Sequence, residues 1–224
     1  IPLIRIDRAD NFFKNHINNL VKSPKAYSIK KSSIRSDILR SIKKNLNSKK
    51  KYNHLLRIAL TKNTLTVSLR QRIKPKLNFN LKLVNLKRQK PEYKNLKYKE
   101  ILKHLSKIDN SKSDIGLCSN KKIFETGTSN LLFIKNGNVY SPISKFYKGI
   151  TYKFFKSKIK KIINKNIAIN SLKEFEEIIL IGSGKGVASV NSIDQIKWKR
   201  KSLKYYKVLL KHYKSAINNC PTYN

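Results

Sequence analysis

Glu177-Ile-Ile-Leu-Ile-Gly182-Ser183-Gly184-Lys185-Gly186-Val-Ala-Ser-Val190 is the stretch on which the reading of this chain turns. Two apolar, β-branched segments, 178–181 and 187–190, flank a turn with glycine at every second position. Short runs of that composition, bounded by turn residues, read as strands. A dinucleotide fingerprint needs a helix after its glycines to offer amides to the phosphates, and here the chain continues as strand. A P-loop needs Gly-Lys-Ser/Thr, whereas Lys185 is followed by Gly186. Two readings stay open: a turn whose amides and Ser183 hydroxyl surround a phosphate, or an ordinary glycine-rich turn.

Working outward, residues 131–135 and 139–141 form another strand pair around Asn136-Gly137, which suits the two positive φ angles of a type I′ turn. Residues 115–118 read as a strand, and Glu125 closes a further short one before Thr-Gly-Thr-Ser-Asn130. If buried there, Glu125 needs a cationic partner or a protonated heterocycle; the alternative is a surface loop. Helices are expected at 98–108, with Ile101, Leu102 and Leu105 on one side, at 154–166 as a basic amphipathic helix, and at 201–217. Nearer the N-terminus, residues 1–7 alternate weakly as a strand, and 15–27 and 33–46 carry helical apolar spacing. The solvated turn 47–53 leads to strands 55–61, 65–72 and 81–86. The division expected is an α/β domain over 1–86, a polar linker over 87–97 containing Pro91, and a strand-rich domain over 98–224.

The 224 residues carry 51 Lys plus Arg against 12 Asp plus Glu, a formal charge of +39. Such a charge attracts polyanions non-specifically. It is spread along the chain, mostly as lysine, without the interleaved arginines and aromatics that read bases. A general Lys/Asn/Ile bias accounts for it as well as selection for a polyanion does. Cys118 and Cys220 stand alone and read as free thiols in a reducing, cytoplasmic setting. His16, His54, His104 and His212 are too scattered for a metal spacing. No apolar run approaches the length of a membrane-spanning helix, so membrane insertion is not expected. The chain opens Ile-Pro-Leu-Ile without Met, and its N-terminus is read as processed or incomplete.

Three blocks follow one another in order. The first is Asp114-Ile-Gly-Leu-Cys-Ser-Asn-Lys-Lys-Ile-Phe-Glu125-Thr-Gly-Thr-Ser-Asn130, running on through Gly137 to Pro142. The second is Lys148-Gly149-Ile150-Thr151, and the third runs from Glu177 through the glycine-rich turn to Asp194. Together they resemble the fold-type IV pyridoxal-phosphate enzymes, the class IV aminotransferase family. Its Glu-Gly-x-x-Ser-Asn segment, Gly-Ile-Thr-Arg turn and Thr-Gly-Thr-x-x-Gly-Val run are similar. The resemblance implies an α+β fold of two domains, a small N-terminal α/β domain and a C-terminal irregular β-barrel with helices, with pyridoxal 5'-phosphate between them. It also implies a homodimer acting on a small amino or carboxylate substrate. Glu125 would contact the pyridine nitrogen and keep it protonated. Gly149, Ile150 and Thr151 would contact the phosphate, and Ser183 with the Gly184 amide would bind phosphate or the substrate carboxylate. Lys94, just ahead of a helix and upstream of Asp114, fits the Schiff-base lysine. Lys97 fits less well, and Lys103 would need a large deletion in the helix that follows. Tyr98 is placed near the cofactor.

The chain departs from the family pattern at Asn19, where an arginine reaches the phosphate in relatives, at Tyr152 instead of arginine, and at Ser189 instead of proline. Within the family, the short chain points to aminodeoxychorismate lyase, which forms 4-aminobenzoate and pyruvate. Transamination of branched-chain or D-amino acids is the alternative. A cofactor-less, basic nucleic-acid-associated protein on the same fold is the reading outside enzymes.

Overall fold

A computed structural model of the chain describes residues 2–3, 13–22, 33–47 and 52–219. It divides into two units, one taking the chain through Arg72 and again from Lys214, the other running from Ile73 to Tyr213. In the first, β1 (Pro2–Leu3), β2 (His54–Leu60) and β3 (Leu65–Gln71) form an antiparallel sheet in that order. Helices α1 (Phe13–Lys22) and α2 (Ile34–Asn45) accompany it. Every fourth residue of α2 from Ile34 is apolar, so Ile34, Ile38 and Ile42 share one face and pack with Ile17 and Leu56. The expected helix from residue 15 starts earlier, at Phe13. Its continuation over 23–27, the strand beyond Leu3 and residues 48–51 of the expected turn lie outside the described residues.

The second unit is built on a ten-stranded mixed sheet. Its strands are β4 (Phe79–Asn85), β5 (Ser113–Ser119), β6 (Lys122–Thr126), β7 (Asn130–Lys135), β8 (Asn138–Pro142), β9 (Ile162–Lys165), β10 (Ile167–Ala168), β11 (Glu177–Gly182), β12 (Gly186–Ile193) and β13 (Trp198–Lys199). The order is β10-β6-β5-β4-β12-β11-β7-β8-β9, with β13 paired to β12. Helices α3 (Lys99–Leu105), α4 (Ile150–Lys158) and α5 (Lys204–Asn218) complete the elements. Phe79, Phe133, Phe175, Leu180 and Val190 are fully buried in one cluster. Burying a side chain of that size is worth about 2–3 kcal/mol each.

Three expectations change here. Strand β4, assigned from sequence to the N-terminal domain, pairs in parallel with β5 and β12, because Phe79 and Leu81 belong to the core of the large sheet. The division therefore falls after Arg72, and the stretch read as an interdomain linker connects β4 to α3 within one unit. Leu102 does not join its helical neighbours; it is 47% exposed while Ile101 and Leu105 are buried. The helix expected at 154–166 begins at Ile150 and stops at Lys158, and Ile162 and Ile163 pair in parallel with β8 instead. Parallel neighbours cannot be joined by a hairpin and need a crossover. Accordingly, α3 lies in the β4–β5 connection and α4 in the β8–β9 connection. Among the described residues no helix is long and apolar enough to cross a membrane.

Candidate active site

The glycine-rich turn is a hairpin, with Gly182 directly opposite Gly186. Gly186 has φ +76, and a Cβ there would sit 2.8 Å from Tyr213 Cε1, so backbone angle and space both require glycine. A Cβ on Gly182 would come within 3.0 Å of Ser129 Oγ. The turn thus packs against loop 126–129. That loop is organised by Asp114, which is fully buried and accepts from the Ile115 N–H at 2.8 Å, the Thr126 hydroxyl at 2.9 Å and the Thr128 hydroxyl at 2.5 Å. Burial raises the Asp114 pKa, against the pull of Lys185 and these donors.

Glu125, at the end of β6, is 3% exposed. Its Oε1 accepts from Arg88 Nε at 2.9 Å, and its Oε2 receives the Tyr147 N–H at 3.4 Å. Burial pushes its pKa up to about 7, with Arg88 opposing. One oxygen has a full charged partner; the other has only a long contact. A carboxylate so poised can share a proton with a basic nitrogen.

Asn130 brackets the segment beyond. Its amide donates to the Tyr147 carbonyl at 2.6 Å, and its Oδ1 accepts from the Gly149 N–H at 3.2 Å. That fixes Gly149 as the N-cap of α4, where no side chain supplies a capping bond. The first amides of a helix have no intrahelical partner and carry the positive end of its dipole. In the same first turn, the buried Thr151 hydroxyl lies 3.2 Å from the Ser183 hydroxyl on the glycine-rich turn. Two hydroxyls and a helix N-terminus converge there, a combination that suits a phosphate.

Lys94 lies in the β4–α3 connection with its Nζ 5.6 Å from the centre of the Tyr147 ring. The residue as a whole is exposed. Partial desolvation of its ammonium, and then repulsion from Arg88, lowers its pKa below that of an ordinary lysine. Lys94 therefore gives up its proton more readily than an ordinary lysine.

Lys94, Arg88, Glu125 and Tyr147 form one group, and Asn130 links it to Gly149, Ile150, Thr151 and Ser183. Gly184 sits at the tip of the same turn as Ser183. Tyr98 heads α3 and packs on the cluster of Ile101, Leu105, Ile115 and Leu117. Lys97 and Lys103 are exposed. Asn19 lies on α1 in the first unit. Tyr152 is buried and donates to Asn164 Oδ1 at 3.2 Å, and buried Ser189 accepts from Arg200 Nη1 at 3.2 Å. Arg88 and Tyr147 were not singled out by sequence reading; nothing in their local sequence distinguishes them from the chain's other arginines and tyrosines.

The mixed sheet and its parallel crossovers define a fold that recurs in solved structures. A Legionella pneumophila protein assigned as a 4-amino-4-deoxychorismate lyase matches with a TM-score of 0.74 at 17% identity, over 95% of this chain and 88% of that one. The 4-amino-4-deoxychorismate lyase of Pseudomonas aeruginosa matches with a TM-score of 0.71 at 14% identity, over 96% and 88%. The branched-chain aminotransferase of Thermoproteus uzoniensis, solved with norvaline, matches with a TM-score of 0.70 at 14% identity, over 92% and 79%. At these identities the likeness establishes the fold. No curated protein sequence matches the chain. The family model for amino-transferase class IV matches residues 4–193, and the chain belongs to that family.

Proposed function

We propose that this chain binds pyridoxal 5'-phosphate and acts as a lyase converting 4-amino-4-deoxychorismate to 4-aminobenzoate and pyruvate. The observation that carries the cofactor reading is the joint placement of an incompletely compensated buried carboxylate, a lysine of lowered pKa, and paired hydroxyls at a helix N-terminus. Those residues fit the group's three chemical ends. Glu125, held by Arg88, would face the pyridine nitrogen. Gly149, Ile150 and Thr151, with Ser183 and Gly184, would hold the phosphate. Lys94 would carry the cofactor and, once released, accept a proton from the substrate carbon. Pyridoxal phosphate supplies an electron sink at that carbon. The lowered pKa of Lys94 favours the neutral amine that both tasks need. Tyr98 is retained as a residue near the cofactor.

The lyase reading draws support from the likeness to the Legionella and Pseudomonas proteins, each covered over 88% of its length. A net charge of +39 also favours approach of a dicarboxylate. Transamination is the alternative that the Thermoproteus likeness keeps in view. A homodimer, with the barrel closure usual for the fold, belongs to the same proposal. The test is to add pyridoxal phosphate, record the visible absorbance, reduce with borohydride and map the labelled lysine. Product analysis with 4-amino-4-deoxychorismate, against leucine plus 2-oxoglutarate, then separates the two reactions. An unlabelled protein, or label scattered over surface lysines with none at Lys94, would sink the cofactor reading. Transamination without 4-aminobenzoate would replace the lyase.

A further inference from the structure

Lys185 is one lysine among many in sequence and unusual in place: its side chain is 9% exposed. Its Nζ lies 3.9 Å from Asp114 Oδ2, donates to the Asn110 carbonyl at 3.1 Å and sits 5.0 Å over the Phe79 ring. Asp114 is the node of loop 126–129. It holds the Thr126 and Thr128 hydroxyls, and Thr126 Oγ1 in turn accepts from the Ser129 N–H at 2.8 Å and the Thr128 N–H at 3.2 Å. Gly182 abuts Ser129 on this loop. Two residues before Lys185, the Ser183 hydroxyl meets that of Thr151.

We propose that Lys185 and Asp114 form a positioning clasp that closes the turn 182–186 onto loop 126–129 and so holds the Ser183 hydroxyl beside Thr151 for a phosphate group. The proposal rests on the cofactor reading above and extends it to residues that do not themselves touch the cofactor. Burying an ion pair seldom stabilises a fold more than apolar packing of the same volume would. What the ammonium adds is direction. Asp114, the Asn110 carbonyl and the Phe79 face all hold it, and a methionine in the same space would leave the hairpin tip free to shift. Lys185 and Asp114 are therefore positioning residues, and their loss should weaken recognition of phosphate more than recognition of the ring.

The test compares binding of pyridoxal phosphate with binding of pyridoxal, which lacks the phosphate. Three variants are used: Lys185→Met, Asp114→Asn and the double variant. Either single change strands a buried charge and can prevent folding; the double variant removes both charges and keeps the comparison available. The folded double variant should bind pyridoxal phosphate about tenfold more weakly than wild type while pyridoxal affinity stays the same. Hydrogen exchange at 126–129 and 182–186 in the unliganded protein should quicken. An unchanged affinity ratio overturns the clasp, as does equal weakening of both ligands. If wild type itself binds neither ligand, the cofactor reading fails, and hydrogen exchange alone decides the clasp: faster exchange at both segments supports it, and unchanged exchange refutes it.

Discussion

Replacing Glu125 with glutamine should change how the stability of the unliganded protein depends on pH. Glu125 is 3% exposed, and burial outweighs Arg88 to hold its pKa at about 7. Between the ordinary value of 4.5 and about 7, the unfolded chain has released a proton that the folded protein keeps. Where the folded state binds more protons, stability falls as pH rises. The contribution is fully present below 4.5, is lost as pH rises to about 7, and amounts to about 3 kcal/mol at 1.36 kcal/mol per unit. Glutamine does not titrate. It leaves Arg88 without its carboxylate, but that offset is constant with pH because arginine stays charged. Urea unfolding of wild type and Glu125→Gln at several pH values should give curves that diverge by about 3 kcal/mol on going from acid to weakly alkaline pH. With pyridoxal phosphate loaded, Glu125 gains a cationic partner and the divergence should shrink. Parallel curves in the unliganded protein would mean that Glu125 is not the under-compensated buried carboxylate on which the cofactor reading depends.

Lys94→Ala should abolish the borohydride-trapped label and lower turnover by about a thousandfold or more, the scale of removing a positioned general base. In wild type the lowered pKa of Lys94 should make it the first lysine labelled by pyridoxal phosphate at mildly alkaline pH, as peptide mapping can establish. Gly186→Ala adds a Cβ at φ +76 and 2.8 Å from Tyr213, and should cost about 2 kcal/mol or more in urea unfolding. Phe133→Ala empties a site that is 0% exposed in the main core, and should cost about 3–5 kcal/mol by the same measurement.

Features written in a few adjacent residues were legible from sequence. Asn136 and Gly137 both adopt positive φ, at 49° and 72°, and join β7 to β8 as their chemistry demands. The glycine-rich hairpin was legible for the same reason. Pairing between distant segments was not. The apolar run of β4 reads as a strand, but its parallel partners β5 and β12 leave no local trace, so its place in the large sheet is not written in its own residues. Ile162 and Ile163 continue the helical spacing of α4 closely enough to conceal a strand, and only their pairing with β8 decides the matter. The site behaves alike. Glu125 and Thr151 come from recognisable blocks, whereas Arg88 reaches Glu125 across 37 residues of sequence. In a chain with 51 Lys plus Arg, composition cannot mark the few cations that are buried.

The scarce residues carry more information than the abundant ones. Of 12 Asp plus Glu, three are buried among the described residues: Asp114, Glu125 and Glu177. Each is a node. Glu177 accepts from the Ser202 hydroxyl and from the Tyr205 and Tyr206 amides, each at 2.9 Å, and so caps the start of α5. Asp114 gathers loop 126–129 and Lys185; Glu125 gathers Arg88 and the Tyr147 amide. A buried carboxylate is costly unless donors surround it, so a strong compositional drift toward lysine can recoat the exterior but cannot remove these three without leaving their donors stranded. Glu177 is fully served by its helix and Asp114 by its loop. Glu125 alone retains an oxygen with only a 3.4 Å contact. Among the three nodes it is the one arranged to receive something further.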